Sequence, residues 1–379
     1  MQICKEELCT GCGACASVCA FGAIKLVLNQ SFERIAQIDK NLCRNCKKCF
    51  NVCPVIKDAK YCLPTACYAG YSKDSEERTT SASGGIAASL TNSFITSGGI
   101  VYGTAYENGK FLITRADNKA KAKLFKGSKY VKSDSEEGIK NAIIDLKQGK
   151  KVLFFGTPCQ VAGLKNASKD NQNLYLVDLI CHGTPSQEYL EDHVREQTKK
   201  GFADIENISF RDKDGWRLKV YTNGKVVYNK SHQEDVYFKS FLNGETYRQN
   251  CYACLFAKEK RVSDVTIGDF WGLGREKPFD ESTEKVSVIL VNTEKGQKLL
   301  EEYGTNIKLI AREVKEAIEG NDQLRAPTKI SKNAQIFKQE IKIKPFSKAI
   351  KLTSTYKACK KLQRRNKLIR LAKKILKKI

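Results

Sequence analysis

The stretches CTGCGACASVC (Cys9–Cys19) and CRNCKKCFNVC (Cys43–Cys53) carry one pattern twice, C-x2-C-x2-C-x3-C, the second copy 34 residues after the first. Three cysteines at three-residue steps can wrap a loop around one metal–sulfur centre and give it three thiolates. The fourth begins the next helical turn and points away, toward a second centre. Gly11 and Gly13 permit the tight backbone turns such a loop needs. Pro54 follows the second copy, whereas Ala20 stands at the matching place after the first, a change that affects a turn and removes no ligand.

This spacing resembles that of two-cluster bacterial ferredoxins, in which the fourth cysteine of each run serves the other cluster. Applied here, one 4Fe–4S cluster takes Cys9, Cys12, Cys15 and Cys53, and the other takes Cys43, Cys46, Cys49 and Cys19. The alternative is a pair of zinc sites, which usually separate two C-x2-C pairs by a longer loop. Cys4, Cys62, Cys67 and Cys359 do not fit the scheme and read as small buried hydrophobes.

The chain has 379 residues, 16 of them Cys and 1 Met, and 66 Lys+Arg against 42 Asp+Glu give it a formal net charge of +24. That length buries a proper core and holds two or three domains. At 41% hydrophobic and 28% charged it is neither disordered nor fibrous. MQICKEELC lacks a basic start followed by an apolar run, so no signal peptide is expected. The charge-free stretch Thr79–Tyr106 is broken by Ser, Thr, Asn and Gly and would span a bilayer poorly. The cysteines therefore point to metal ligation or redox chemistry in a cytoplasmic protein, not to a secreted disulfide scaffold.

A second group comprises Cys159, Cys181, Cys251 and Cys254. KVLFFGTPCQVAGL (Lys151–Leu164) reads as buried strand, tight loop and helix, and LYLVDLICHGTPS (Leu174–Ser186) repeats that order before a helix from Gln187. In a parallel α/β sheet both loops lie at the carboxyl edge, so Cys159 and Cys181 face one crevice. NCYACLF (Asn250–Phe256) adds a C-x2-C pair. Four cysteines from three places suggest a third 4Fe–4S cluster, with zinc or a redox-active disulfide as alternatives.

SASGG (Ser81–Gly85), GSKYVKS (Gly127–Ser133), FFGTPCQVAGLK (Phe154–Lys165), DLICHGTPS (Asp178–Ser186), FRDKDGW (Phe210–Trp216) and CYACLFAKEKRVSDVTIGDFWG (Cys251–Gly272) together resemble the family of coenzyme F-420 hydrogenase/dehydrogenase β-subunits. The resemblance covers about three quarters of the chain and favours the third cluster. It implies a flavin, usually FAD, beside that cluster, and hydride exchange with a deazaflavin or another two-electron acceptor. Members with a fused ferredoxin head resemble ferredoxin-dependent reductases and proteins encoded in bacterial surface-polysaccharide operons.

The expected architecture is an α+β ferredoxin-like head (1–65), an α/β flavin-binding core (66–325) and a basic C-terminal amphipathic helix (326–379). Leu63-Pro64 and the polar run Ser72–Thr80 mark the first junction. Short apolar runs alternating with helical patterns argue for the α/β core. They include a helix from Ile86, a strand over Gly99–Thr104, a helix over Gly138–Lys147, and a strand then a helix over Val286–Glu302.

Within SASGG, Ser83, Gly84 and Gly85 open a helix where small residues and the helix dipole suit a phosphate. An ordinary N-cap is the other reading, and the resemblance tips the balance to flavin or coenzyme phosphates. Lys129 and Tyr130 can pair a phosphate and stack on a ring, or be a surface Lys beside a core Tyr. Thr157, Pro158 and Gln160 flank Cys159 and would line a pocket at that edge. His182, beside Cys181, can bond a cluster sulfur or donate a proton near a flavin. Asp269 can orient a substrate or flavin edge, or cap a helix beside Trp271. Trp216 with Arg211, Lys213 and Arg217 is either a cation–π patch or a hairpin at Asp214-Gly215.

Residues 351–379 hold twelve Lys/Arg and no Asp/Glu, half of the formal charge. Leu362, Leu368, Ile369, Ala372, Ile375, Leu376 and Ile379 recur at helical spacing. A basic amphipathic helix can lie on the inner face of an anionic membrane or dock an acidic partner such as a ferredoxin. Tyr356 is its lone aromatic residue, so nucleic-acid binding is not expected. The reading that results is an iron–sulfur flavoprotein reductase taking electrons from a ferredoxin-type donor to a small organic substrate or deazaflavin. The rival is a non-catalytic electron-transfer protein relaying between a partner enzyme and a soluble carrier.

Overall fold

Each cysteine run bends through left-handed backbone into a short helix, α1 (Ala14–Ser17) and, after a hairpin of β1 (Ile24–Leu28) and β2 (Arg34–Ile38), α2 (Lys48–Val52), in the computed structural model, which describes residues 2–376. Gly11 (φ +59) and Gly13 (φ +77) make the first bend, and Asn45 (φ +51) and Lys47 (φ +57) make the second at the same repeat positions. The loop geometry thus recurs even where the second copy has lost its glycines, at some conformational strain for Lys47.

The central unit runs through β3 (Ala66–Ser72), α3 (Ser75–Thr80), α4 (Ile86–Thr96), β4 (Ile100–Glu107), β5 (Lys110–Ala116), α5 (Lys119–Ala122), α6 (Glu136–Lys147), β6 (Val152–Gly156), α7 (Pro158–Ser168), β7 (Leu174–Leu179) and α8 (Gln187–Thr198). A three-stranded antiparallel sheet follows, β8 (Asn207–Asp212), β9 (Gly215–Thr222) and β10 (Lys225–Ser231), then α9 (Val236–Leu242). The chain returns through β11 (Val265–Asp269), β12 (Ser287–Val291), α10 (Glu294–Tyr303), β13 (Ile307–Arg312) and α11 (Val314–Gly320). It ends in α12 (Lys332–Glu340), α13 (Phe346–Ala349) and α14 (Ser354–Leu376).

Eight strands form one sheet in the order β13-β3-β12-β11-β7-β6-β4-β5. The expected parallel arrangement holds only at its centre, where β11, β7, β6 and β4 run parallel; β5, β12, β3 and β13 are antiparallel to their neighbours. The strand VLFFG of β6 is buried throughout, as a central strand covered on both faces must be. Asp178 of β7 accepts from Arg261 Nη2 (2.9 Å) and Thr266 Oγ1 (2.5 Å) across the sheet. Arg261 also exchanges two 2.8 Å backbone bonds with Cys62, so the end of the head is stitched to the core.

Two boundary expectations change. Ser72–Thr80 is no linker: Ser72 ends β3, and the Asp74 carboxylate accepts from the Glu76 and Glu77 amides to cap α3. Nor is 326–379 a detached tail, because Phe337, Phe346, Ile350 and Cys359 are buried with Tyr189, Phe210 and Tyr237 in one aromatic core. Beyond Asn366, which bonds Glu234 Oε1 (2.9 Å), the visible stripe turns to solvent at Leu368 (67% exposed), Ile369 (42%) and Leu371 (48%). Ile375 and Leu376, whose side chains are not described, and Ile379 lie outside the described part of that stripe. Among the described residues no helix is long and apolar enough to cross a membrane.

Candidate functional site

Three parallel strands deliver their carboxyl ends to one edge. β6 ends at Gly156; Thr157 caps α7, Pro158 takes its first position, and Cys159 lies in its first turn. β7 leads into Cys181-His182-Gly183, and β11 ends on Asp269. A 3-10 turn, Gln249–Ala253, brings Cys251 and then Cys254 to the same place. All four cysteines line one cavity.

Backbone donors converge on these sulfurs: Gly183 on Cys181, Thr184 on Cys251, and Phe256 and Ala257 on Cys254, while Thr157 Oγ1 lies 3.3 Å from Cys159 Sγ. Burial pushes the Cys181 and Cys251 thiols up and Cys254 to about 12. Such thiols ionise when a cationic centre takes the proton's place. Among the described residues no three His, Cys, Asp or Glu side chains stand close enough to share a single metal ion.

In the head, Cys9, Cys12, Cys15 and Cys53 line one cavity, so the last cysteine of the second run does meet the first three of the first run. Cys4 lines it too. Its thiol stands beside the sulfurs of Cys9 and Cys53, and this contact lowers both of them while Cys4 itself is raised. Burial, with Cys19 and Cys46 close by, raises the Cys49 thiol, and the Asn45 amide donates to Cys43 Sγ (3.4 Å). Thr10 lines both the head's cavity and that of the core cysteines, and Cys12 shares a packed cluster with Cys159 and Cys254, so the two cavities lie side by side.

A third cavity, about 490 Å³, opens on the other side of the Cys181 loop. Thr157 and Cys181 to Thr184 line both it and the cysteine cavity, so they form the wall between them. Ser83, Gly85, Lys129, Tyr130, Gln160 and Asp269 also line the large cavity. Tyr130 stacks on Phe241 (4.7 Å between centroids) and receives a 3.4 Å bond from Arg211, whose guanidinium lies 4.1 Å over Trp216.

Residues 149–317 match the family model for the C-terminal part of the coenzyme F420 hydrogenase/dehydrogenase beta chain, and residues 8–56 match the 4Fe-4S dicluster domain. The chain joins these two domains. A 4Fe-4S dicluster domain thus precedes a region related to F420 hydrogenase/dehydrogenase beta subunits. The chain is 24% identical over 325 residues to the coenzyme F420-dependent sulfite reductase of Methanocaldococcus jannaschii, covering 79% of this chain and 46% of that protein. It is 21% identical over 244 residues to the F component of the F(420)H(2) dehydrogenase of Methanosarcina mazei, covering 60% and 68%. The chain thus spans under half the length of the first relative. A chain of the F420-reducing [NiFe] hydrogenase complex from Methanosarcina barkeri superimposes with a TM-score of 0.47 at 18% identity, covering 73% of this chain and 92% of that one.

Several residues expected at the site take other places. Gly84 is buried against β3 and β12 and does not line the large cavity: a Cβ there would meet Gly70 O at 2.4 Å, and its amide donates to Ser287 Oγ (2.9 Å). Gly85 (φ +81) is the helix N-cap of α4, with no side chain to cap with. Pro158 lines the cysteine cavity instead. Gln160 spends its amide on Thr157, Ser133 and Ser135, closing the capping box of α7. Lys129 donates to the Leu124 and Lys126 carbonyls, and burial lowers its ammonium to about 7. Asp269 sits on a strand, so it caps no helix; it accepts from Arg211 Nη1 at 2.6 Å. Arg211 and Trp216 form both the cation–π contact and, through Gly215 (φ +82), the hairpin, whereas Arg217 turns to Asn229 (2.7 Å). His182 is exposed and lines both cavities. Cys4, Lys132 and Arg248 were missed: the last two lie outside any cysteine motif and reach the cavity only through the fold.

Proposed function

We propose that the protein is an iron–sulfur flavoprotein reductase in which electrons pass from the two-cluster head, through a third 4Fe–4S cluster, to a flavin. The observation that carries this is the shared wall, Thr157 and Cys181–Thr184, with cysteines on one side and an aromatic-lined cavity of about 490 Å³ on the other. Cys9, Cys12, Cys15 and Cys53 would hold one head cluster, and Cys43, Cys46, Cys49 and Cys19 the other. Cys159, Cys181, Cys251 and Cys254 fit a third: four thiols around one cavity, met by amide donors as iron–sulfur sulfurs require.

The large cavity suits a flavin, which supplies one- and two-electron chemistry when bound. Tyr130 would lie against its ring, and Ser83 and Gly85 would meet its phosphates, at the N-terminus of α4, where the helix dipole favours anions. His182, lining both cavities, can pass a proton at an imidazole nitrogen. Asp269 fixes the Arg211 guanidinium at the same cavity, where it can orient an anionic group of the substrate. A small organic molecule or a deazaflavin is the acceptor class. The relay reading is favoured by one relative's being a component of a larger dehydrogenase.

Stopped-flow mixing of the dithionite-reduced protein with candidate acceptors tests the proposal. Flavin and cluster absorbances should recover together, and Cys181→Ser should leave the head clusters reducible while the flavin no longer follows them. Recovery only in the presence of a co-purifying partner would favour the relay.

A further inference from the structure

Lys132 is 6% exposed, and among the described residues it carries the one buried ammonium with no hydrogen-bond acceptor. An unpaired buried cation of this kind is costly unless something opposite in charge is close by. Lys132 lines the cavity of Cys159, Cys181, Cys251 and Cys254, and its charge also reaches Cys12 of the head. Its place is fixed on both sides. Its own amide donates to Pro185 O (2.8 Å) in the Cys181 loop, and three residues on, Ser135 Oγ donates to Cys12 O (2.8 Å).

The neighbouring cations are already committed. Arg248 donates to Cys9 O and Arg34 O (both 3.0 Å) and to Asn250 Oδ1 (3.2 Å). Lys338 is paired with Glu33 at 2.6 Å. The Lys338 charge is met by Glu33 and the Arg248 donors by neutral oxygens, so of the three only the Lys132 ammonium has no acceptor.

We propose that Lys132 is a positioning residue for electron transfer: its ammonium is the fixed counter-charge of the core cluster and raises that cluster's reduction potential, so that an electron from the head comes to rest there. This rests on the third-cluster reading. In the step itself one electron leaves a head cluster and enters the core cluster, no bond breaks and no proton moves. The added negative charge is met by an ammonium already in place, in a medium where such a pair interacts strongly.

The test is an EPR-monitored potentiometric titration with dithionite on the anaerobically purified full chain, with iron counted per chain. The core signal is assigned as the one lost in Cys251→Ser. Lys132→Gln should lower the core reduction constant at least tenfold, about 59 mV for a one-electron couple, and Lys132→Arg should stay near wild type. An unshifted midpoint in Lys132→Gln, or an equal fall in Lys132→Arg, overturns the proposal. If Lys132→Gln does not load its core iron, loading retained in Lys132→Arg supports the charge, and loss in both overturns it. Wild-type protein without a core signal sinks the third-cluster reading itself, which is a different result.

Discussion

Gly163 of α7 faces the thiol of Cys12: a Cβ built on Gly163 would stand 3.1 Å from Cys12 Sγ and 2.9 Å from the Cβ of Ala14. Residues i and i+4 share a helix face, so Cys12 of the head packs on the face of α7 that carries Cys159. The head is therefore seated where its first cavity adjoins the core's cysteines. Gly163→Ala should force α1 and α7 apart. The expected cost is about 1–3 kcal/mol, read as a lower denaturation midpoint, together with slower reoxidation of the head clusters.

The buried Asp178–Arg261 pair gives a second prediction. Burial raises the Asp178 carboxyl, and Arg261 at 2.9 Å is the chief opposing charge. Arg261→Leu strands a carboxylate in the sheet and should cost about 3–5 kcal/mol in denaturant. Changing Asp178 to Leu in the same chain should recover part of that loss.

Asp235 sets an acid limit. Burial alone would raise its carboxyl, but His193 (2.8 Å), Tyr228 (2.6 Å) and the Phe238 amide (2.7 Å) hold it below its ordinary value. A carboxyl depressed in the native state adds stability that is fully present above the ordinary aspartate range. It erodes as the unfolded carboxyl protonates near about pH 4 and is gone below the lower native value. Asp235→Asn should make the acid limb of the stability curve shallower, a change visible in pH-dependent denaturation.

The basic helix can be tested without harming the core. Removing everything after Thr355 would delete Cys359, which is 2% exposed within the aromatic core, so the cut belongs after Asn366. That shorter chain should keep its denaturation midpoint. If the exposed stripe meets an anionic surface, it should also lose flotation with anionic vesicles; unchanged flotation removes the membrane role.

How much of this could be read in advance follows from where the information lies along the chain. The head was legible because cluster ligation is written in local spacing, and Gly11 and Gly13 marked one loop openly. Asn45 and Lys47 adopt the same bends without advertising them. The edge that gathers Cys159 and Cys181 was legible because β6 and β7 are apolar strands ending in short loops. The antiparallel half of the sheet was not: β3 pairs with β12 and β13, more than 200 residues away, and ACYAGYS alternates too weakly to announce a strand. Cys4 and Lys132 carry no motif, and only the fold sets them beside the thiols. Pattern at helical spacing found α14 but could not say that its first turns are anchored by Cys359 and Asn366.

The central claim is a continuous path of three clusters and a flavin. Its most direct test is the iron, acid-labile sulfide and flavin content of the anaerobically purified full-length chain. About twelve iron atoms per chain, four for each of three cubanes, with one flavin, is the predicted result. Eight iron atoms and no flavin would contradict it.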